Sequence, residues 1–265
     1  MSEVSGSRRR ALGQHFLRDA GIARAIVDLV APTARDLVVE IGPGEGALTG
    51  ELAHRAGRVI ALEIDPALVA ALRARLPDVE VLEADARRWE YGALRAPAGG
   101  RVLVVGNLPY SVAKPILQSL IEARTAIQEM ALMLQREVAE RVAAAPGGRT
   151  YGSLSVLTQL YCDVRVGLRV PPGAFRPPPQ VESAVLSVRV RPEPRVPLAD
   201  ERRFATVVRA AFAQRRKTLA NALAGGLGLP ADRVRAAAEG AGLDPIRRAE
   251  TLTIPEFAAL VARLS

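Results

Sequence analysis

The sequence predicts an α/β fold: a doubly wound, mostly parallel sheet with one antiparallel edge strand, followed by a small all-α domain. Three observations predict it. From residue 37 onward, short apolar runs alternate with helical patterns, as successive βαβ units do. Segments 162–170 and 184–190 alternate apolar and polar side chains, the pattern of an antiparallel pair at a sheet edge. Beyond the Pro-rich, charged stretch 191–197, helical patterns are punctuated by Gly225, Gly226, Gly228, Pro230, Gly242 and Pro245.

Taken in order, residues 37–41, 58–63, 79–83 and 101–106 read as strands, and 127–134 is a further apolar run. Segments 47–56 and 66–76 between them carry helix formers at apolar spacing, with Asp65 placed as cap and Pro66 in the first turn. The stretch 191–197 reads as a linker, which divides the chain into domains 1–190 and 191–265.

Composition excludes several classes. No apolar run approaches the roughly 20 uncharged residues that cross a bilayer. Arg8, Arg9 and Arg10 lead into Gly13, Gln14 and His15 without the apolar core of a signal peptide, so the expected location is the cytoplasm. The single cysteine, Cys162, forms no intrachain disulfide, and no Cys/His cluster has metal-ligand spacing, so no metal is expected. The net charge of +8 and pI of about 10.6 point to an anionic macromolecule as partner. Lys114 and Lys217 are the only lysines, however, and a GC-rich genome also yields an Arg/Ala/Gly/Pro-heavy chain, so charge alone does not decide.

The first strand runs Val38-Val39-Glu40-Ile41 into Gly42-Pro43-Gly44-Glu45-Gly46, a Gly-rich turn opening a helix. Glycines admit a ligand close to the backbone, and the helix start offers unpaired N–H groups. The G-x-G-x-G spacing differs from the G-x-G-x-x-G of dinucleotide binders and favours a ligand without a pyrophosphate. Glu63, about 20 residues on at the next strand end, is placed to accept from both hydroxyls of a ribose. Asp85, after the third strand, is placed to accept from an adenine amino group. Each carboxylate alone reads equally as a solvated strand end or a helix cap. Together, at successive carboxyl ends of a parallel sheet, they define a nucleoside pocket. Their negative charge suits S-adenosylmethionine, which carries a sulfonium and an ammonium against one carboxylate, better than NAD.

After the fourth strand comes Gly106-Asn107-Leu108-Pro109-Tyr110. An adenine N6 lone pair is delocalised into the ring, so attack on a methyl group requires that nitrogen to pyramidalise. The Asn107 side-chain oxygen and the Leu108 carbonyl supply acceptors that favour the change. Pro109 stiffens the turn, and Tyr110 offers a stacking face. The target base must leave its stack to reach such a site. No strong general base is required, and alignment with the sulfonium methyl carries the chemistry.

At these residues the chain resembles the bacterial small-subunit rRNA adenine N6,N6-dimethyltransferases, relatives of the erythromycin-resistance methylases. The resemblance runs from Leu12 to the C-terminal helices. It includes Gly13-Gln14-His15-Phe16-Leu17, Glu40 to Gly44, Asn107 to Tyr110, Tyr151-Gly152, Phe175-Arg176-Pro177-Pro178-Pro179-Gln180-Val181, and Ala211 to Leu219. It implies a Rossmann-like S-adenosylmethionine methyltransferase sheet with cofactor contacts at His15, Leu17, Gly42, Gly44, Glu63, Asp85 and Asn107; His15 stands where many members carry Asn. It also implies that Phe175 stacks on the target base opposite Tyr110, and that Gln214 to Lys217 contacts phosphates. The implied substrate is a pair of adjacent adenosines near the 3′ end of 16S rRNA, in the immature small ribosomal subunit, and nothing demands more than a monomer.

Three other readings share parts of this pattern. A DNA-adenine or protein-glutamine methylase has the same pocket but lacks the Phe175 segment and the basic C-terminal run. A large-subunit resistance methylase is disfavoured by Ala211 to Leu219. A non-catalytic assembly factor would have no need of intact Gly42, Glu63, Asp85 and Asn107.

Overall fold

The computed structural model describes residues 15–109 and 112–264. Its elements are β1 (Phe16–Leu17), α1 (Ala20–Asp28), β2 (Leu37–Ile41), α2 (Ala47–Ala53), β3 (Arg58–Glu63), α3 (Pro66–Arg75), β4 (Glu80–Glu83), β5 (Val102–Asn107), α4 (Ala113–Glu122), β6 (Glu129–Gln135), α5 (Arg136–Val142) and α6 (Ser153–Gln159). They continue with β7 (Cys162–Val170), β8 (Phe175–Arg176), β9 (Ser183–Val190), α7 (Glu201–Phe212), α8 (Leu219–Leu227), α9 (Ala231–Gly240) and α10 (Ile254–Arg263).

Seven strands form one sheet in the order β4-β3-β2-β5-β6-β9-β7. From β4 to β6 the pairs are parallel, with Leu37 opposite Arg58 on one side of β2 and opposite Val102 on the other. β9 runs antiparallel to β6, from Glu129 opposite Arg189 to Gln135 opposite Ser183. It therefore sits one strand in from the edge, with β7 outside it. Every residue of β2 is buried, as a central strand covered on both faces requires. The chain order reverses at β2, between β3 and β5, which opens a crevice at the carboxyl ends of these strands.

Local chemistry sets the ends of the elements. The Asp65 carboxylate accepts from Ala67 N–H at 2.9 Å and Pro66 opens α3, so the expected cap forms. At the opposite end of the sheet, the buried Asp36 accepts from the Arg101 N–H and guanidinium, both at 2.8 Å, and from the Thr33 N–H. Burial alone would raise this carboxyl, but Arg101 and Thr33 hold it well below the usual carboxylate range.

The chain divides into two compact units. The first holds residues through Ala139 together with Asp163–Val190; the second holds Glu140–Cys162 with Arg191–Ser265. The linker after residue 190 is one crossing, but a cut at that point alone misplaces 140–162. Hydrogen bonds and ring contacts explain the grouping: Gly147 N–H donates to Glu250 O at 2.7 Å, Arg191 N–H to Tyr161 O at 2.9 Å, and the Tyr151 ring stands edge-on to Phe212. Within this unit α8 continues through Gly225 and Gly226 and ends at Gly228, whose φ is +67°. The first two glycines are therefore not breaks: a Cβ on Gly226 would lie 2.8 Å from the Ala210 Cβ, so the missing side chain lets α8 approach α7.

Candidate active site

The carboxyl ends of β2, β3, β4 and β5 line one cavity within the first unit, together with His15 and Phe16. Gly42 and Gly44 have φ of +67° and +57°, a region that favours glycine. Both are also held closely: a Cβ on Gly44 would lie 2.8 Å from the Phe16 ring, and one on Gly42 would lie 3.3 Å from the Asn107 carbonyl oxygen. Both positions therefore require glycine, for conformation and for the close approach of Phe16 and the Asn107 backbone.

Glu63 closes β3 with only 4% exposure. Its Oε2 accepts from Gly44 N–H at 3.1 Å, and its Oε1 accepts from Ile64 and Asp65 N–H at 2.9 and 3.0 Å. Burial raises this carboxyl, with the three N–H groups opposing. A carboxylate has about four acceptor sites, so capacity remains for a hydroxyl. Asp85 also lines the cavity, but it is engaged: the Arg87 guanidinium grips both oxygens at 2.6 to 3.0 Å, and the Arg87 N–H adds a bond at 2.9 Å. Arg87 holds Asp85 below its ordinary value. Ile64, 46% exposed, adds apolar surface to the same cavity.

Asn107 ends β5 at the cavity wall, and its Nδ2 donates to the His15 carbonyl at 3.0 Å. That bond fixes the amide orientation and makes Oδ1 the atom available to a substrate. Leu108 N–H donates to Met133 O at 3.1 Å, and Val112 N–H to Pro109 O at 3.0 Å, which pins the turn. The His15 Nδ1 donates to the Pro177 carbonyl at 2.8 Å, so that ring is tied to the segment after β8 while its backbone meets the cavity. Tyr110 lies outside the described residues, as do Gly13 and Gln14.

Two expected residues stand back from this wall. Leu17 pairs with Phe175 in the β1–β8 ribbon, and both are buried in the apolar core, 6% and 5% exposed. Leu17 borders a smaller recess beside Gly42, whereas the Phe175 ring packs in the core.

Sequence reasoning passed over two residues that the structure makes prominent. Arg87 could not be foreseen, because a guanidinium two residues past an aspartate is common on surfaces. Glu40 left a signal: it is the one charged residue in the apolar strand Leu-Val-Val-Glu-Ile, and period-2 or continuous burial places it inside.

No group of His, Cys, Asp or Glu among the described residues is arranged to hold a metal. The glycine cradle, the buried Glu63 at the end of β3, the half-buried Asp85 after β4 and the Asn107 amide at the β5 terminus fit a cationic, nucleoside-bearing donor, and with the sheet topology they define the Rossmann-like S-adenosylmethionine methyltransferase class. Comparison with known proteins narrows it. A family model described as ribosomal RNA adenine dimethylase matches residues 6–264, and the chain belongs to that family. It is 47% identical over 261 residues to the ribosomal RNA small subunit methyltransferase A of Anaeromyxobacter sp. (strain K), covering 95% of this chain and 92% of the relative. It is 44% identical over 257 residues to the protein of that name from Geobacter metallireducens, covering 95% and 94%. Among solved structures, the 23S rRNA methyltransferase ErmE shares 30% identity with a TM-score of 0.71, over 94% of this chain and 99% of that one. A dimethyladenosine transferase from Plasmodium falciparum shares the fold at a TM-score of 0.77 and 24% identity, over 93% and 96%.

Proposed function

We propose that the protein transfers methyl groups from S-adenosylmethionine to the N6 of two adjacent adenosines near the 3′ end of small-subunit rRNA, acting as a monomer on the immature subunit in the cytoplasm. The observation that carries the chemistry is the Asn107 amide. Its nitrogen is tethered to the His15 carbonyl at the cavity wall, which leaves its oxygen as the acceptor for a substrate. Family membership and the small-subunit relatives support the choice of substrate. No helix among the described residues is long and apolar enough to cross a membrane.

The bound cofactor supplies an electrophilic methyl carbon on a sulfonium. Glu63 accepts from a ribose hydroxyl with its remaining acceptor capacity, and Asp85 accepts from the adenine amino group as the Arg87 guanidinium gives way. Gly42 and Gly44 keep the turn free of side chains. Asn107 Oδ1 and the Leu108 carbonyl accept from the two N6 hydrogens of the target base, turning the nitrogen lone pair toward the methyl carbon. Tyr110 and Phe175 stack on the base, and Phe175 must turn out of the core to do so. The proton leaves the methylated nitrogen readily once it is cationic, so a general base is not assigned.

The test separates binding from chemistry. Asn107→Ala keeps RNA affinity by filter binding while transfer of tritiated methyl falls by roughly 10²- to 10³-fold, the scale for losing a preorganised polar contact to the reacting centre. Unchanged turnover removes Asn107 from the mechanism.

A further inference from the structure

Glu40 sits in the middle of the sheet, one residue before the Gly-rich turn, and is 1% exposed. Its Oε2 has no hydrogen-bond partner, and neither has the nearby hydroxyl of Thr49 on α2. Both atoms are fully buried. Thr49 tempers a charge here, but Oε2 stays without a partner, fewer donors than a buried carboxylate requires. Glu40 borders a small recess shared with Leu17, Gly42, Glu45 and Asn107, so the orphaned oxygen lies beside the same turn and the same asparagine that bound the main cavity.

The charged groups around it do not neutralise it. From β3, Glu63 adds repulsion. Glu45 on the turn is paired with Arg18 at 3.0 Å, and Arg75 from α3 donates to the Glu45 carbonyl, so both cations are engaged with Glu45. Asn107 from β5 gives its N–H to His15. Burial pushes the Glu40 carboxyl up to about 8, with Thr49 partly opposing and Glu63 adding.

We infer that Glu40 is a proton-exchanging binding residue: it is neutral in the empty pocket and releases its proton to solvent when the cationic cofactor settles against the Gly-rich turn. The balance is simple. The Glu40 O–H bond breaks heterolytically, the electron pair stays on the carboxylate, and buffer takes the proton. A net positive ligand then finds a counter-charge generated by its own arrival, in a site that would otherwise bury an uncompensated anion. This rests on the assignment of S-adenosylmethionine as cofactor.

Calorimetry of the full chain with S-adenosylmethionine at pH 7, in phosphate and in Tris, reads the proton directly from the difference in observed heats. Wild type is expected to release close to one proton per cofactor, and its affinity to rise by up to about tenfold per pH unit until pH 8 before flattening. Glu40→Gln, equal in size and permanently neutral, is expected to bind with no proton release and a flat pH response. Buffer-independent heats for wild type overturn the inference, as does the same release from Glu40→Gln, which would move the proton to Glu63. Absence of any binding heat for wild type strikes the cofactor assignment itself, and the inference with it.

Discussion

At Glu63 one carboxylate has two tasks, because the oxygens meant for a ribose also tie down the backbone of Gly44, Ile64 and Asp65. Glu63→Ala is expected to weaken cofactor binding by about 1.5 to 3 kcal/mol by calorimetry, the scale of a lost hydrogen bond with charge; no loss would mean that the ribose is held elsewhere. Phe175 raises the opposite problem, since its buried ring serves the core before any base. Phe175→Ala is expected to cost about 3 to 5 kcal/mol of stability in a denaturant titration, and Phe175→Leu much less. If Phe175→Leu folds normally and still loses methyl transfer, the ring stacks on the base; full activity in that variant would assign the ring to packing alone. Glu40 gives a pH signature without any ligand. Between the unfolded glutamate value of about 4.3 and the folded value of about 8, the unfolded chain has lost a proton that the folded chain keeps, so stability falls as pH rises through that window. The Tm of Glu40→Gln should therefore gain on wild type from pH 4 to pH 8 and hold its lead above. A constant difference would place the Glu40 carboxyl in its ordinary range.

The elements show why some features of this fold are visible in a sequence and others are not. β2 and β3 match their apolar runs to the residue, because a central parallel strand is apolar throughout and ends abruptly at a turn or a carboxylate. α8 defied the reading of Gly225 and Gly226 as breaks, since a glycine used for close helix contact looks in sequence like one used for a turn. This gives a sign test. Helix propensity alone makes Gly226→Ala stabilising by about 1 kcal/mol, but the added methyl meets Ala210 at 2.8 Å, and overpacking of about 1 to 3 kcal/mol should win. A Tm above wild type would contradict the tight α7–α8 contact. Residues 140–162 joined the second unit for a similar reason: the Tyr151–Phe212 contact spans more than sixty positions and leaves no local periodicity. The pocket was more legible than the domain boundary, because its residue types are dictated by ligand chemistry at strand ends. The Arg87 clamp on Asp85 was not, because it depends on a rotamer.

At the scale of the whole molecule, the charge of +8 gives nucleic-acid binding a salt signature. RNA affinity should fall steeply and linearly on a log–log plot against salt, with a slope of roughly −0.7 to −0.9 per phosphate contacted; a flat response would remove the phosphate contacts. Basic charge, however, says nothing about which base is modified, whereas the asparagine proposed at the reacting nitrogen bears on it directly. The most direct measurement is incubation with isotopically labelled S-adenosylmethionine and unmethylated small ribosomal subunits, followed by mass mapping of the modified nucleosides. The account predicts label as N6,N6-dimethyladenosine at two neighbouring positions near the 3′ end of the small-subunit rRNA. Label on any other base, on large-subunit rRNA alone, or on protein would contradict it.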